Sequence, residues 1–188
     1  SYNELLQYGF RRSGRLVYAP RCEECRQCVS VRVRAAEFRP RRSQRRVLQA
    51  NADIEMRVSP ARFEQHHYEL YQRYTAVRHE DGEMATASAD DYLGFLRADW
   101  CDTRFLEFLL DGRLVAVAAT DLPADCLSAV YTFFDPDLSS RSLGTYAILR
   151  LFANAQSLGL PYLYLGYWIR DSRKMAYKIN FRPIELCI

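Results

Sequence analysis

Asp111-Gly112, set between Phe105-Leu-Glu-Phe-Leu-Leu110 and Arg113-Leu-Val-Ala-Val-Ala-Ala119, constrains this chain more than any other stretch. Asp-Gly tolerates the positive φ of a tight primed turn, and both flanking runs are apolar, so a two-residue hairpin is expected. Leu127 to Phe134 reads as a third antiparallel strand. Beyond it, a helix over 143–158 stopped by Gly159, and a strand over 162–167, form a strand-helix-strand unit.

The rest of the chain alternates helix and strand without repeats. A short helix is expected over 2–10, strands over 16–18 and 29–33 joined by a cysteine loop, a helix over 41–52 and a strand over 53–58. Ser59 and Pro60 have the form of an N-cap and a first helical residue, which predicts a helix from there to His79, with His66 and His67 as scaffold. Ser88, with Asp90 and Asp91 in the first turn, caps a helix expected to reach Trp100. A last helix over 172–179 places Lys174 and Lys178, the two lysines of the sequence, on one face. A strand over 183–187 follows. The class is α+β: a mixed, mostly antiparallel sheet with flanking helices.

Charge divides the chain in two. Residues 1–46 hold 12 arginines against Glu4, Glu23, Glu24 and Glu37, a surplus of +8, so the net +3 of the whole leaves −5 for the remainder. The densest cluster is Arg39, Arg41, Arg42, Arg45 and Arg46, whose forked donors suit phosphate or carboxylate. This separates a smaller basic lobe over 1–52 from a body over 53–188. No apolar run approaches the ~20 residues of a membrane span, and no charged-then-apolar leader opens the sequence, so a cytoplasmic protein is expected. The start at Ser1 suggests an upstream segment in the natural protein.

Cys22-Glu-Glu-Cys25-Arg-Gln-Cys28 carries two successive two-residue spacings, which let thiolates converge on zinc or an iron–sulfur cluster. Three ligands leave a tetrahedral site one short. The alternatives are a redox-sensing loop or a turn of buried thiols.

The element order matches the acetyltransferase-like (GNAT) fold, and the residues sharpen it. Leu5-Leu-Gln-Tyr-Gly-Phe-Arg-Arg-Ser-Gly14, Tyr18 through Cys28, Arg41-Arg-Ser-Gln-Arg-Arg46, Tyr131-Thr-Phe-Phe-Asp-Pro-Asp137, Ser142-Leu-Gly-Thr-Tyr146 and 164–177 closely resemble the bacterial aspartate/glutamate leucyltransferases, relatives of the arginyltransferases. The resemblance implies transfer of leucine from Leu-tRNA to the α-amine of proteins beginning with Asp or Glu, which marks them for degradation, with no cofactor required for transfer. Two departures stand out. The family's upstream cysteine segment is absent, and Leu138-Ser-Ser-Arg141 replaces a proline and two arginines.

The chemistry asks for alignment and oxyanion stabilisation rather than a covalent nucleophile, because an aminoacyl ester is already activated. Ser142, Leu143 and Gly144, at the turn that holds coenzyme A diphosphate in the acetyltransferase fold, are expected to hold the end of the tRNA. Tyr131, Phe133, Phe134, Tyr164, Tyr167 and Trp168 are the aromatics expected to wall the cleft, with sheet core the favoured reading for Phe133, although Tyr164 and Tyr167 face opposite ways on a regular strand. Lys174 and Lys178, with Tyr177 between them, are placed at tRNA phosphate or the acidic acceptor, and Arg11, Arg12 and Arg78 are further readers of the acceptor carboxylate. His79 and Asp135 are the candidate bases, with Tyr131 beside them at the centre. Competing readings are an arginyl-tRNA donor, an acetyl-CoA-dependent N-acetyltransferase whose phosphate loop is only half present at Arg141-Ser-Leu-Gly144, and a non-catalytic RNA-binding or metal-sensing protein.

Overall fold

The computed structural model describes residues 1–78 and 83–187. In chain order it contains α1 (Tyr2–Gln7), β1 (Arg11–Ser13), β2 (Leu16–Tyr18), β3 (Val29–Arg34), α2 (Arg42–Ala50), β4 (Ile54–Pro60), α3 (Gln65–Arg78), α4 (Ala89–Leu96), β5 (Thr103–Leu110), β6 (Arg113–Asp121), β7 (Cys126–Phe134), α5 (Leu143–Ser157), β8 (Tyr162–Trp168) and β9 (Ile184–Cys187). The expected hairpin is β5–β6, and Asp111 and Gly112 take the positive φ values of 50° and 76° that its turn requires. Ser88 caps α4 through a capping box with Asp91, and Gly159 at φ 66° ends α5.

Seven strands form one sheet in the order β4-β5-β6-β7-β8-β3-β9, and β1 pairs with β2 in a separate hairpin. Every neighbouring pair is antiparallel except β7 and β8. One face of the sheet is covered by α2 and α5, whose Leu151, Phe152 and Ala155 pack on Phe108, Ala116, Ala118 and Leu163. On the other face Tyr71 and Tyr74 of α3 and Tyr92 of α4 pack on Phe105, Val117 and Phe133. Leu6 of α1 meets Cys126 and Tyr164 there.

Several expectations change. Residues 1–52 share a core with the body, because β3 lies between β8 and β9 and its Val31 and Val33 are fully buried with Leu163. Pro60 ends β4 opposite Arg104 instead of opening a helix; β4 is an edge strand, where a missing N–H is tolerated. The helix expected over 172–179 is instead a 3-10 turn, Ala176–Asn180. Phe181, buried against Phe38 and Phe152, draws the chain out of an α-helical path.

Candidate active site

β7 and β8 are hydrogen-bonded over only three parallel residue pairs, Cys126–Tyr162, Leu127–Leu163 and Ser128–Tyr164. Past these pairs each strand carries a bulge, Val130 between the partners of Ala119 and Thr120, and Leu165 between the partners of Val31 and Arg32. A bulge bends its strand and increases the local twist, so the two strands part and open a gap through the sheet. Gly166, at φ 84°, accommodates the bend in β8.

A cavity of about 500 Å³ occupies this gap, between the start of α5 and the end of α3. Its walls include Tyr131 and Phe134 of β7, Tyr74 and Arg78 of α3, Leu165, and the Lys174–Lys178 turn. At its floor α5 begins at Ser142, Leu143, Gly144 and Thr145. Ser142 takes a left-handed conformation (φ 52°, ψ 47°) that swings the chain into the helix, and its side chain caps nothing. The N–H groups of Leu143, Gly144 and Thr145 therefore open the helix without an intrahelical acceptor, at the positive end of its dipole. Gly144 packs closely on β7: a Cβ there would lie 3.3 Å from Cε1 of Phe134, close enough that the ring would have to shift. Arg141, the basic residue of the half-complete phosphate loop, is held by Asp53 at 2.8 and 3.0 Å, and its carbonyl accepts from buried Asn51 at 2.8 Å. Tyr146, bulky where coenzyme A takes a small residue, is turned into the core against Phe108.

A second cavity, about 230 Å³, lies on the hairpin side and shares Ala129, Val130, Tyr131, Leu165, Met175 and Lys178 with the first. Arg11, Tyr2, Tyr18 and Tyr167 complete much of it. Lys178 Nζ donates to the Tyr167 carbonyl at 2.7 Å. Burial, and then the charge of Arg11, push its ammonium down to about 8. A third hollow of about 300 Å³, lined by Arg41, Gln44, Tyr177 and Thr145 among others, adjoins the large cavity at Tyr177 and Thr145.

The expected site residues thus separate. Tyr131, Arg78, Ser142, Leu143, Gly144, Lys174, Tyr177 and Lys178 line the large cavity, and Arg11, Arg12 and Tyr167 line the small one. Lys174 donates to the Arg78 carbonyl at 3.1 Å across the cleft, and burial raises the Tyr131 hydroxyl well above the usual phenol range. Asp135 is not placed as a base: it is fully buried, accepts from Arg73 at 2.8 Å and Arg113 at 3.1 Å, and caps the turn after β7. Arg12 is consumed by Asp121. Tyr164 is buried beside Leu6 and accepts from Arg32 at 3.0 Å, and Trp168 packs at the edge of the main core, so neither walls the cleft. The bulge at Leu165 nonetheless brings Tyr164 and Tyr167 to the same face, where Tyr167 donates to the Gly9 carbonyl at 3.0 Å. His79 lies outside the described residues. Of the scaffold histidines, His67 is buried and bonded to Glu107 at 2.6 Å, and burial lowers its basicity.

Cys22 and Cys25 are exposed and Cys28 is half-buried, in the loop between β2 and β3. Among the described residues the donor atoms that gather as a cluster are those of His66, His67 and Glu107, not the three thiols. Three thiols are one ligand short of a tetrahedral site. Residues the sequence did not single out also line the cleft. Gly166, a glycine inside an aromatic strand, carried a visible signal for a bulge, whereas Tyr74 and Met175 carried none; of the two expected phenylalanines, Phe134 lines the large cavity and Phe133 is core.

Comparisons with known proteins bear on the whole chain. The family profile "Arginine-tRNA-protein transferase, C terminus" matches residues 66–188, and "Arginine-tRNA-protein transferase, N terminus" matches 1–46. An aspartate/glutamate leucyltransferase from Hahella chejuensis is 50% identical over 187 residues, covering 100% of this chain and 80% of that protein. Another, from Chromohalobacter salexigens, is 51% identical over 186 residues, covering 98% and 75%. Among solved structures, the fold is similar to L-PGS from Bacillus licheniformis (TM-score 0.59, 12% identity, 81% of this chain and 50% of that one) and to FemX (0.58, 9%, 92% and 61%). It is also similar to a tandem GNAT protein from the clavulanic acid biosynthesis pathway (0.50, 10%, 86% and 54%). With a GNAT-like sheet split between β7 and β8 and half of its residues shared with such relatives, the chain belongs to the arginine-tRNA-protein transferase family, among the aspartate/glutamate leucyltransferases.

Proposed function

We propose that this protein is an aminoacyltransferase that moves leucine from Leu-tRNA to the N-terminal α-amine of proteins beginning with Asp or Glu. The observation that carries the reading is a cleft with two openings: a large cavity at the start of α5 and a small cationic one behind it, joined at Tyr131, Leu165 and Lys178. Two substrates can then meet at these shared residues. The volume of the large cavity lies in the range that encloses a ligand the size of an aminoacylated nucleoside.

The terminal adenosine is assigned to the large cavity, with its phosphate at the open N–H groups of Leu143, Gly144 and Thr145 and Tyr177 as an aromatic wall. Arg41 and the exposed arginines of α2, past the adjoining hollow, are positioned for the phosphates that follow. The acceptor's α-amine titrates near 8, so a useful fraction is neutral at physiological pH and positioning dominates over base catalysis. The nitrogen adds to the ester carbonyl, the C–N bond forms, the C–O bond to the ribose breaks, and the departing hydroxyl takes up the proton that the amine loses. Among the described residues no helix is long and apolar enough to cross a membrane, and the reaction is assigned to the cytoplasm, where charged tRNA is made.

The test is a transfer assay with the full protein, labelled Leu-tRNA or Arg-tRNA, and peptides beginning with Asp, Glu, Lys or Ala. Leucine on the Asp and Glu peptides alone supports the reading. Arginine as the accepted donor would overturn the leucine assignment, and transfer from neither would overturn the reaction. The acetyl-CoA alternative is disfavoured by Arg141, whose guanidinium is occupied by Asp53.

A further inference from the structure

Arg11 is 5% exposed, and its guanidinium is only half used. Nη2 donates to the Ala129 carbonyl at 3.0 Å, just before the β7 bulge, while buried Nη1 has no partner. Lys178 comes from the other side of the gap. Its Nζ lies 3.5 Å, and Arg11 Nη2 3.9 Å, from the point a Cβ on Gly166 would occupy, so both cations converge on the same residue of β8. Both line the small cavity. Among the described residues no carboxylate is ion-paired with either one, and Asp121 is bound by the adjacent Arg12. Converging cations in a low-dielectric pocket repel each other and lose hydration, a cost that a bound anion reverses.

Resting on the transfer reading above, we propose that Arg11 and Lys178 are the specificity-determining residues that bind the side-chain carboxylate of the acceptor's N-terminal Asp or Glu. A carboxylate accepting from Arg11 Nη1 and Lys178 Nζ satisfies the orphaned donor and both charges together. The rest of the wall is tyrosine, Ser128, apolar side chains and backbone, with Arg12 already paired to Asp121, so a neutral amide would leave the charges of Arg11 and Lys178 unneutralised. Because that carboxylate is only a few bonds from its own α-nitrogen, anchoring it at Lys178, where the two cavities join, directs the amine into the gap facing the aminoacyl ester. Arg12, paired with Asp121, and Tyr2, Tyr18, Tyr131 and Tyr167 are the other ionisable groups lining the small cavity. Burial holds Tyr2 and Tyr167 up at about 12, so both stay uncharged near neutral pH.

The experiment measures binding of fluorescent peptides that differ only in their first residue, Asp, Glu, Asn or Gln, to the full protein and to Lys178→Met, Lys178→Arg and Arg11→Gln, with leucine transfer and deacylated-tRNA binding in parallel. Thermal melts identify any variant that fails to fold, and Lys178→Met serves if Arg11→Gln does. The expected result is an Asp-over-Asn preference in the parent that falls roughly 10- to 100-fold in Lys178→Met and returns in Lys178→Arg. Equal binding of Asp and Asn peptides by the parent, or undiminished preference in a folded Lys178→Met, overturns the proposal. So does a loss of tRNA binding with peptide preference intact, which would give these cations to phosphate. Selective acid binding without leucine transfer would support the pocket while overturning the reaction.

Discussion

Arg12 and Asp121 meet in the interior through paired hydrogen bonds, Nε to Oδ2 at 2.5 Å and Nη2 to Oδ1 at 2.6 Å, with both side chains at most 1% exposed. Thr103 donates to the same carboxylate at 2.7 Å, and Arg12 reaches the carbonyls of Leu96 and Gly14 as well. The pair fastens the β1–β2 hairpin to the end of β6 and the end of α4. It also separates two neighbours: Arg12 is spent on architecture, and Arg11 is left to face the small cavity.

Asp121→Asn should therefore destabilise the protein by about 3–5 kcal/mol, the usual consequence of removing one member of a buried pair. Chemical denaturation checks this. Asp99→Asn, at the exposed Arg15–Asp99 ion pair, should shift stability by less than about 1 kcal/mol, and an equal effect for the two would disprove the role given to Asp121.

Much of the sheet was legible because its signals are local: the Asp-Gly turn, the Ser88 cap, the Gly159 stop. What was not legible is long-range. No pattern in 29–34 says that β3 inserts between β8 and β9, because that pairing depends on strands more than a hundred residues away. Arg11 and Arg12 are chemically identical in the sequence, and only the approach of Asp121 distinguishes them. Asp135 had the right residue type and place for a base, yet Arg73 and Arg113 hold it as an ion-paired cap. Lys174 and Lys178 do share the cleft as their spacing suggested, though Lys174 precedes the 3-10 turn and is exposed, while Lys178 lies on it and is drawn inward.

The start of α5 offers a test specific to the tRNA side. Gly144→Val places a branched side chain against the Phe134 ring and into the large cavity. The KM for Leu-tRNA should rise roughly 10-fold or more, about 1.4 kcal/mol, while the dissociation constant for an Asp peptide, measured without tRNA, stays within about twofold. Parallel losses on both substrates would mean that the two cavities are not divided as described.

The exposed arginines of α2 should act through phosphate. Arg42→Gln combined with Arg46→Gln, both on the solvent side, should weaken tRNA binding and reduce the slope of log affinity against log salt by about 0.7 for each phosphate no longer neutralised. Filter binding from low to moderate salt measures this. An unchanged slope would make the cluster a solvated face with no part in tRNA binding.

Lys178 gives the acceptor pocket a pH signature. Its ammonium titrates at about 8 in the folded protein against 10.5 when exposed, chiefly from burial and then from Arg11. Between those values the unfolded chain keeps a proton that the folded one has released, so stability of the unliganded protein should rise with pH across this window. Carboxylate binding works in the opposite direction, because it needs the charged lysine and must draw a proton back. Preference for Asp over Asn peptides should therefore hold below about pH 8 and decline above it, by at most about tenfold per pH unit for one proton. Titration of the peptide's own amine is common to both peptides and cancels in the ratio. Lys178→Arg, charged throughout, should flatten the profile. A ratio that is constant from pH 7 to 9.5 in the parent would remove Lys178 from the pocket's chemistry, whatever its position beside Arg11.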